Sequence, residues 1–465
     1  MKARLSLLVL ISLIACGPSV AQDSKPPAAA QSQQVIAFTG VNVLPMDRER
    51  VIENQNVLVR GDRIVAIGSP GDVKIPGGAL RIDGRGKYLM PGLAEMHGHL
   101  PHPNQGEQLT VNFLKLFVAS GVTTVRVMYG FENSISVRER VARGELLGPK
   151  LAVACPAMSG NAVKSPEEGD RLVREYKKAG YDLLKIHEGL SAATYNRIVA
   201  TANEVGIQFG GHVPNDVGVE KAIQSKQYSI DHIDNYVEGL EADDSPVRNA
   251  DPQTRAQKWF EYLDEKRIPV LVAATRDAKI WIVPTQDLWR TLFGVAPLDE
   301  LKQRPELKYV PQQMVNQWIN AQSNTFASNN PKGAQRVIEM RDKLLKALFN
   351  GGARIALGSD APQRFSVPGF SLVREMQAMV KAGLTPFQAL QSGTLNAALY
   401  FNAEDEFGTV RVGRRADLIL LDENPLNDVA NVGRRAGVML RGRWMPETEI
   451  QKMLGEIAKE VTGDK

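Results

Sequence analysis

Six histidines occur in the chain, and four of them fall where short apolar runs end. His97 and His99 stand in Met96-His97-Gly98-His99, His212 follows Phe209-Gly210-Gly211, and His232 follows Ser229-Ile230-Asp231. Residues two apart on a strand share a face, so the imidazoles of His97 and His99 point the same way and can bind one ion. Asp360 closes a further run, Ile355-Ala356-Leu357-Gly358-Ser359. Ligands that are all nitrogen and oxygen suit zinc, and also manganese, iron or cobalt. Lys185, in Leu183-Leu184-Lys185-Ile186-His187, shares a face with Leu183 and His187, which aims an ammonium into an apolar interior. Such a lysine costs several kcal/mol or gives up its proton. A neutral amine can take up CO2 to become a carbamate, an anionic ligand able to bridge two metal ions. The alternative is an ammonium that snorkels to Asp182 or Glu188. Two divalent ions balanced by a carbamate, Asp360 and a hydroxide would keep about one positive charge to polarise a substrate carbonyl. His187, Tyr236 and Tyr129 are candidate substrate contacts, with plain packing as the alternative for each. His102 reads as a loop residue near the mouth of the site.

These residues need a scaffold that brings strand ends together. Apolar runs at about 89–97, 122–128, 150–155, 181–187, 206–211, 228–232, 279–284 and 354–359 alternate with amphipathic helical stretches. That alternation is the mark of βα units and a parallel sheet. Eight units predict an α/β fold, a (β/α)8 barrel over about 89–400, in which polar residues at the C-terminal strand ends build the site. The region 238–330 is longer than one unit needs; it contains Trp259, Trp281, Trp289 and Trp318, and it reads as an insertion of helices over the mouth. Short β patterns at 35–88 and again at 401–447 predict a small β-sandwich domain assembled from both ends of the chain, and a helix follows at 448–465.

Composition narrows the partners. Of 465 residues 43% are hydrophobic and 23% charged, which excludes wholesale disorder. Fifty-six Lys and Arg against 52 Asp and Glu leave +4, no reason to expect nucleic acid. Two cysteines, Cys16 and Cys155, exclude a disulfide scaffold and a thiolate zinc site. Lys2 and Arg4 precede an apolar run from Leu5 to Ala15, the length of a signal-peptide core. Cleavage after Ser19-Val20-Ala21 would release a soluble chain; lipidation at Leu13-Ile14-Ala15-Cys16 would anchor it at Cys16. Either way an exported protein is expected, periplasmic, secreted or lipid-anchored in a bacterial envelope, with residues 22–34 as a flexible tether and no other membrane contact. A homo-oligomer stays open.

Tyr88-Leu89-Met90-Pro91-Gly92-Leu93-Ala94-Glu95-Met96-His97-Gly98-His99 resembles the opening motif of the amidohydrolase superfamily. The strand-four lysine, the histidines on strands five and six and the strand-eight aspartate resemble its binuclear, carboxylated-lysine subtype. Gly121-Val122-Thr123-Thr124-Val125-Arg126, Gly148-Pro149-Lys150, Gly408-Thr409-Val410 and Gly413-Arg414-Arg415-Ala416-Asp417-Leu418 are similar to segments of its imidazolonepropionase-like and prolidase-like branch. The resemblance implies that His97, His99 and Asp360 hold one divalent ion, zinc by preference, and His212 and His232 a second, with carboxylated Lys185 between. It implies attack of a metal-bridging hydroxide on a small-molecule amide, dipeptide or cyclic amide, with Asp360 as base and then acid. Two departures bear on substrate. Val127 stands where the branch often has Asp, and Met158-Ser159-Gly160-Asn161 lacks the Gly-Gly-His that prolidase-like members usually carry, which weakens a dipeptidase assignment. A mononuclear, deaminase-like hydrolase would hold one ion and leave Lys185 unmodified; a non-catalytic binding protein on the same fold would show erosion of the ligand set.

Overall fold

A computed structural model describes residues 34–328 and 330–462. The leader at 1–21 with Cys16, and the tether up to Gln33, lie outside the described residues.

Eight short parallel strands form the core: Leu93–Gly98, Val122–Val127, Lys150–Val153, Leu183–Ile186, Gln208–Gly211, Ser229–Asp231, Trp281–Val283 and Arg354–Ile355. Most of their residues are buried, as in a parallel sheet covered on both faces. Regular pairing gives one run of three strands and one of five. Two sets of hydrogen bonds close them into a barrel. Cys155 N donates to Leu183 O (3.0 Å) and Asp182 N to Val153 O (2.9 Å), joining strands three and four. Met96 N donates to Leu357 O (2.8 Å) and Asp360 N to His97 O (2.7 Å), joining strands one and eight. Gly358 makes the second seam, because a Cβ there would lie 2.8 Å from His97 N and 2.5 Å from Val283 Cγ1.

The helices between strands carry their own start and stop signals. Pro166–Ala179 begins with Ser165 accepting from Glu168 N, has Pro166, Glu167 and Glu168 in its first turn and Lys177 and Lys178 in its last. It ends at Gly180 in the left-handed region. Each feature satisfies an open backbone group or the helix dipole.

The two ends of the chain build one eight-stranded sheet: Val35–Val43, Ile52–Arg60, Arg63–Gly68, Leu80–Asp83, Tyr88–Pro91, Leu418–Leu421, Arg435–Leu440 and Arg443–Pro446. It folds back on itself as a sandwich around Phe38, Val57, Ile64, Leu418 and Met439. The rings of Phe38, on the interior strand Val35–Val43, and Trp444, on the end strand Arg443–Pro446, meet edge-on at 5.3 Å although three strands lie between them in the order. The sequence reading placed 89–97 in a single barrel strand. The structure divides it: Tyr88–Pro91 pairs with Leu418–Leu421 in the terminal sheet, and Leu93 N donates instead to Gly121 O in the barrel. The turn between them is Gly92, where a Cβ would strike Thr123 at 2.4 Å. Helix Glu447–Thr462 buries Ile450, Leu454 and Ile457 in a cluster shared with Phe113 and Leu116 of Glu107–Ala119.

The region 238–330 is two excursions rather than one. Helix Ile268–Asp277 and strand Trp281–Val283 belong to the barrel and divide it. Trp281 and Trp318 are buried packing residues and Trp259 is half-buried against the core. Only Trp289 of the four faces the mouth of the barrel, on helix Gln286–Leu292.

Candidate metal centre

His97, His99, Lys185, His212, His232 and Asp360 line one cavity of ≈ 590 Å³ at the C-terminal ends of five different barrel strands. The six residues singled out as ligands are therefore brought together. Two of them are held in unusual backbone: His232 at φ +65° and Asp360 at φ +59°. Non-glycine residues in this region cost of order 1–3 kcal/mol and concentrate at functional sites. Gly211 serves the same end, since a Cβ at its φ of +120° would lie 2.6 Å from Ile186 O and 3.0 Å from Lys185 Cδ. Strand five can thus carry His212 past Lys185.

The imidazoles are oriented from behind. His212 Nδ1 lies 2.6 Å from Asp234 Oδ2, and His232 Nδ1 lies 2.8 Å from Thr285 Oγ1. His97 Nδ1 approaches Asp231 Oδ2 at 2.8 Å, at an angle that falls short of a hydrogen bond. With Nδ1 turned toward an outer group in each of the three, Nε2 is the atom each ring offers to the cavity, the arrangement by which outer groups fix metal-binding histidines. His97 Nε2 lies 3.7 Å from Asp360 Oδ1, His232 Nε2 lies 3.7 Å from Asp360 Oδ2, and His99 Nε2 lies 2.5 Å from Asp360 Oδ1. His97, His232 and Asp360 bring their donor atoms within 4.8 Å of one another, and so do Glu188, His212 and Asp234. His232 Nε2 is buried without a hydrogen-bond partner, a cost that a cation would remove. Burial first, and Lys185 among the nearby positive groups, push the basicity of His97, His212 and His232 down, His212 to about 3. Neutral imidazole is the form a metal ion takes. The donor set fits a metal.

Lys185 is 1% exposed, and its Nζ lies 3.1 Å from His97 Nε2. The snorkelling alternative fails on geometry: Asp182 is taken by Arg138 at 2.7 Å and Glu188 turns toward His212. Burial lowers the lysine pKa, with Asp231 and Asp360 opposing the shift.

His187 also lines the cavity, its ring 4.4 Å from that of His212, and Tyr129 stands at the rim, 6.4 Å from the His99 ring. Tyr236 is not brought there. It is fully buried in the barrel's outer core with its hydroxyl 2.7 Å from Thr275 Oγ1, because the chain turns away from the mouth immediately after His232. His102 does more than sit in a loop. It lines the cavity and caps the short turn Pro103–Gln105.

Several positioning residues escaped the sequence reading. Glu95, on the strand face of His97, accepts from His97 N (3.0 Å), Ser359 N (2.9 Å) and Ser359 Oγ (2.5 Å), which ties strand one to strand eight. Arg126 and Asp231 form a fully buried pair at 2.9 Å, and Arg126 donates also to Ser229 Oγ, Tyr400 OH and Met96 O. A charged residue inside an apolar strand, as in Thr124-Val125-Arg126, was the available signal. Removing one member of a buried pair leaves the other charge uncompensated. Arg126→Met is therefore expected to lower unfolding stability by about 3–5 kcal/mol. Urea denaturation checks it; a loss under about 1 kcal/mol would show that Asp231 needs no partner.

Helix Gln286–Leu292 carries Leu288, Trp289 and Leu292 into the cavity. Its own cap residue, Thr285, is committed to His232, so the first amides are taken by Glu375, which accepts from Gln286 N and Asp287 N at 2.8 Å each. Burial raises this carboxyl from 4.5 to about 8, against the two backbone hydrogen bonds. A carboxyl raised on folding adds stability that is present below its unfolded pKa and lost as pH climbs through the folded one. Between about pH 5 and pH 8 the wild type is expected to lose roughly 4 kcal/mol more stability than Glu375→Gln. Denaturation at both pH values checks this, and parallel losses would contradict it.

The sequence profile of the amidohydrolase family matches residues 88–445, and the chain belongs to that family. The imidazolonepropionase of Rubrobacter xylanophilus is 25% identical over 392 residues, 79% of this chain and 84% of that protein. An ochratoxinase of Aspergillus niger is 34% identical over 97 residues, 20% of this chain; the match spans only 19% of that protein's length. A solved Xaa-Pro dipeptidase with methionine bound in its active site shares the fold with a TM-score of 0.66 at 19% identity, over 89% of this chain and 100% of that one. The imidazolonepropionase match agrees with that side of the branch read from the sequence, and the dipeptidase shares the fold.

Proposed function

We propose that this protein is a metal-dependent hydrolase of carbon–nitrogen bonds acting on a small-molecule amide, dipeptide or cyclic amide. The observation that carries the reading is the convergence of four histidines, a buried lysine and an aspartate on one cavity with Nε2 atoms facing inward. His97, His99 and Asp360 would hold one divalent ion, His212 and His232 a second, and Lys185, carboxylated, would join them. Bound there, zinc or a similar ion supplies Lewis acidity and makes a water nucleophilic near neutral pH. The chain's own residues do the rest. Asp360 faces the cavity, held by His99, and its carboxylate takes the proton of the attacking water and returns it to the leaving nitrogen. Lys185 has no carboxylate within salt-bridge reach among the described residues, and its lowered pKa favours the amine that reacts with CO2. His187 and Tyr129 border the space a substrate would fill.

A second reading, a mononuclear deaminase-like hydrolase, draws on the compact trio His97, His232 and Asp360, which alone could hold one ion. Counting metal in purified protein while screening N-acyl amino acids, dipeptides and lactams separates the two. About two ions per chain with hydrolysis of a carbon–nitrogen bond supports the first; one tightly held ion supports the second. Export is part of the proposal, resting on Lys2, Arg4 and the apolar run behind them. Cell fractionation tests it, and a protein retained in the cytoplasm with its leader intact would contradict it.

A further inference from the structure

The cavity has two aromatic flanks that proton transfer and metal binding leave unused. On one side rings run outward from His99: Tyr129 at 6.4 Å, Phe131 5.2 Å beyond it, and His102 4.7 Å beyond that. On the other, Trp289 stands 6.1 Å from His232 with Phe293 5.4 Å behind it. Leu100, Leu288 and Leu292 complete an apolar wall. A cavity of ≈ 590 Å³ takes a ligand with a ring system on it.

Apart from Asp360 and Lys185, its polar lining consists of histidines, Tyr129 and Gln363. Trp289 Nε1 is buried and has no hydrogen-bond partner. His187 Nδ1 accepts from Glu188 N at 2.8 Å, so the neutral ring carries its proton on Nε2. Among the described residues, Lys185 is the only lysine or arginine lining the cavity. Two arginines in the segments that form the mouth are paired with carboxylates, Arg290 with Asp342 (2.5 Å) and Arg304 with Asp287 (3.1 Å), whereas Arg364 donates to the neutral Gln322 and Thr325 (3.3 Å each).

Resting on the hydrolase reading above, we propose that the scissile bond belongs to an amide with an aromatic acyl group. The ring lies between the Tyr129 and Trp289 flanks, and Trp289 is the specificity-determining residue. An aromatic group buried on both faces adds binding energy that a methyl group cannot reach.

Three substrates test this on the metal-loaded enzyme: N-(1-naphthoyl)-leucinamide, N-acetyl-leucinamide and the dipeptide leucyl-proline. Release of naphthoate is expected to exceed release of acetate, and cleavage of the dipeptide, by about 100-fold in kcat/KM. Trp289→Ala and the rim variant Tyr129→Ala should each shrink the naphthoyl-to-acetyl ratio by about 10-fold or more, mainly through KM. Calorimetric binding of the naphthoyl compound to metal-loaded Asp360→Asn, whose turnover is reduced too far to consume it during the titration, gives a readout apart from catalysis. It should weaken by a similar factor when either flank is removed. A preference for leucyl-proline, or a ratio near one that neither variant changes, overturns the inference and leaves the hydrolase reading standing. Tight flank-dependent binding with no cleavage of any carbon–nitrogen bond sinks the hydrolase reading and leaves the flanks as the ligand site.

Discussion

Asp360→Asn is expected to lower kcat/KM by roughly 1,000- to 10,000-fold while changing metal content far less. Asparagine keeps the shape of the side chain and one oxygen donor, and it tolerates the left-handed backbone in which Asp360 is held at φ +59°. What it removes is the capacity to take a proton. Asp360 Oδ1 lies 2.5 Å from His99 Nε2 and its carboxylate faces both His97 and His232, so the group sits between the two sets of ligands. The loss should fall on kcat with KM changed by no more than about 3-fold, as for an interaction made in the transition state. A loss below about 10-fold would move the proton-transfer role to another cavity group.

Lys185→Ala is expected to abolish turnover and to drop bound metal from about two ions per chain to fewer than one. Without an anionic group beside them, His212 and His232 offer only two donors to an ion, below the three or four of a stable site. Propionate at high concentration should restore part of both, by filling the space of the lysine stem with a carboxylate. Lys185→Met separates this from a folding role. It fills the same apolar surroundings without a buried amine, so its stability should equal or exceed that of the wild type while activity stays absent. An active Lys185→Met enzyme would remove the carbamate from the account.

The sequence made the barrel legible because its strands are buried on both faces and appear as short apolar runs, and because the ligands stand at their ends. It did not show that Tyr88–Pro91 changes sheets at Gly92. The apolar pattern runs straight through, and only the switch of hydrogen-bond partner from Leu418–Leu421 to the barrel divides it. Tyr236 looked like a substrate contact by spacing from His232, but the backbone turns over at His232, Ile233 and Asn235, all with positive φ, and takes it into the core. The ligands were visible as residue types at strand ends. Their supports were not, because Thr285 and Glu375 come from distant segments, and Asp234, two residues after His232, serves the other histidine, His212, through a hydrogen bond made in the fold. Trp289 was one tryptophan among four in a long insertion, and nothing in its local sequence distinguishes a cavity wall from packing.

A crystal of the zinc-reconstituted enzyme, grown with bicarbonate and measured at the zinc absorption edge, is the most direct test. Two anomalous peaks are expected, one among His97, His99 and Asp360 and one beside His212 and His232, with added density beyond Lys185 Nζ reaching both. A lone peak with a bare lysine, or zinc bound elsewhere, would contradict the two-ion centre.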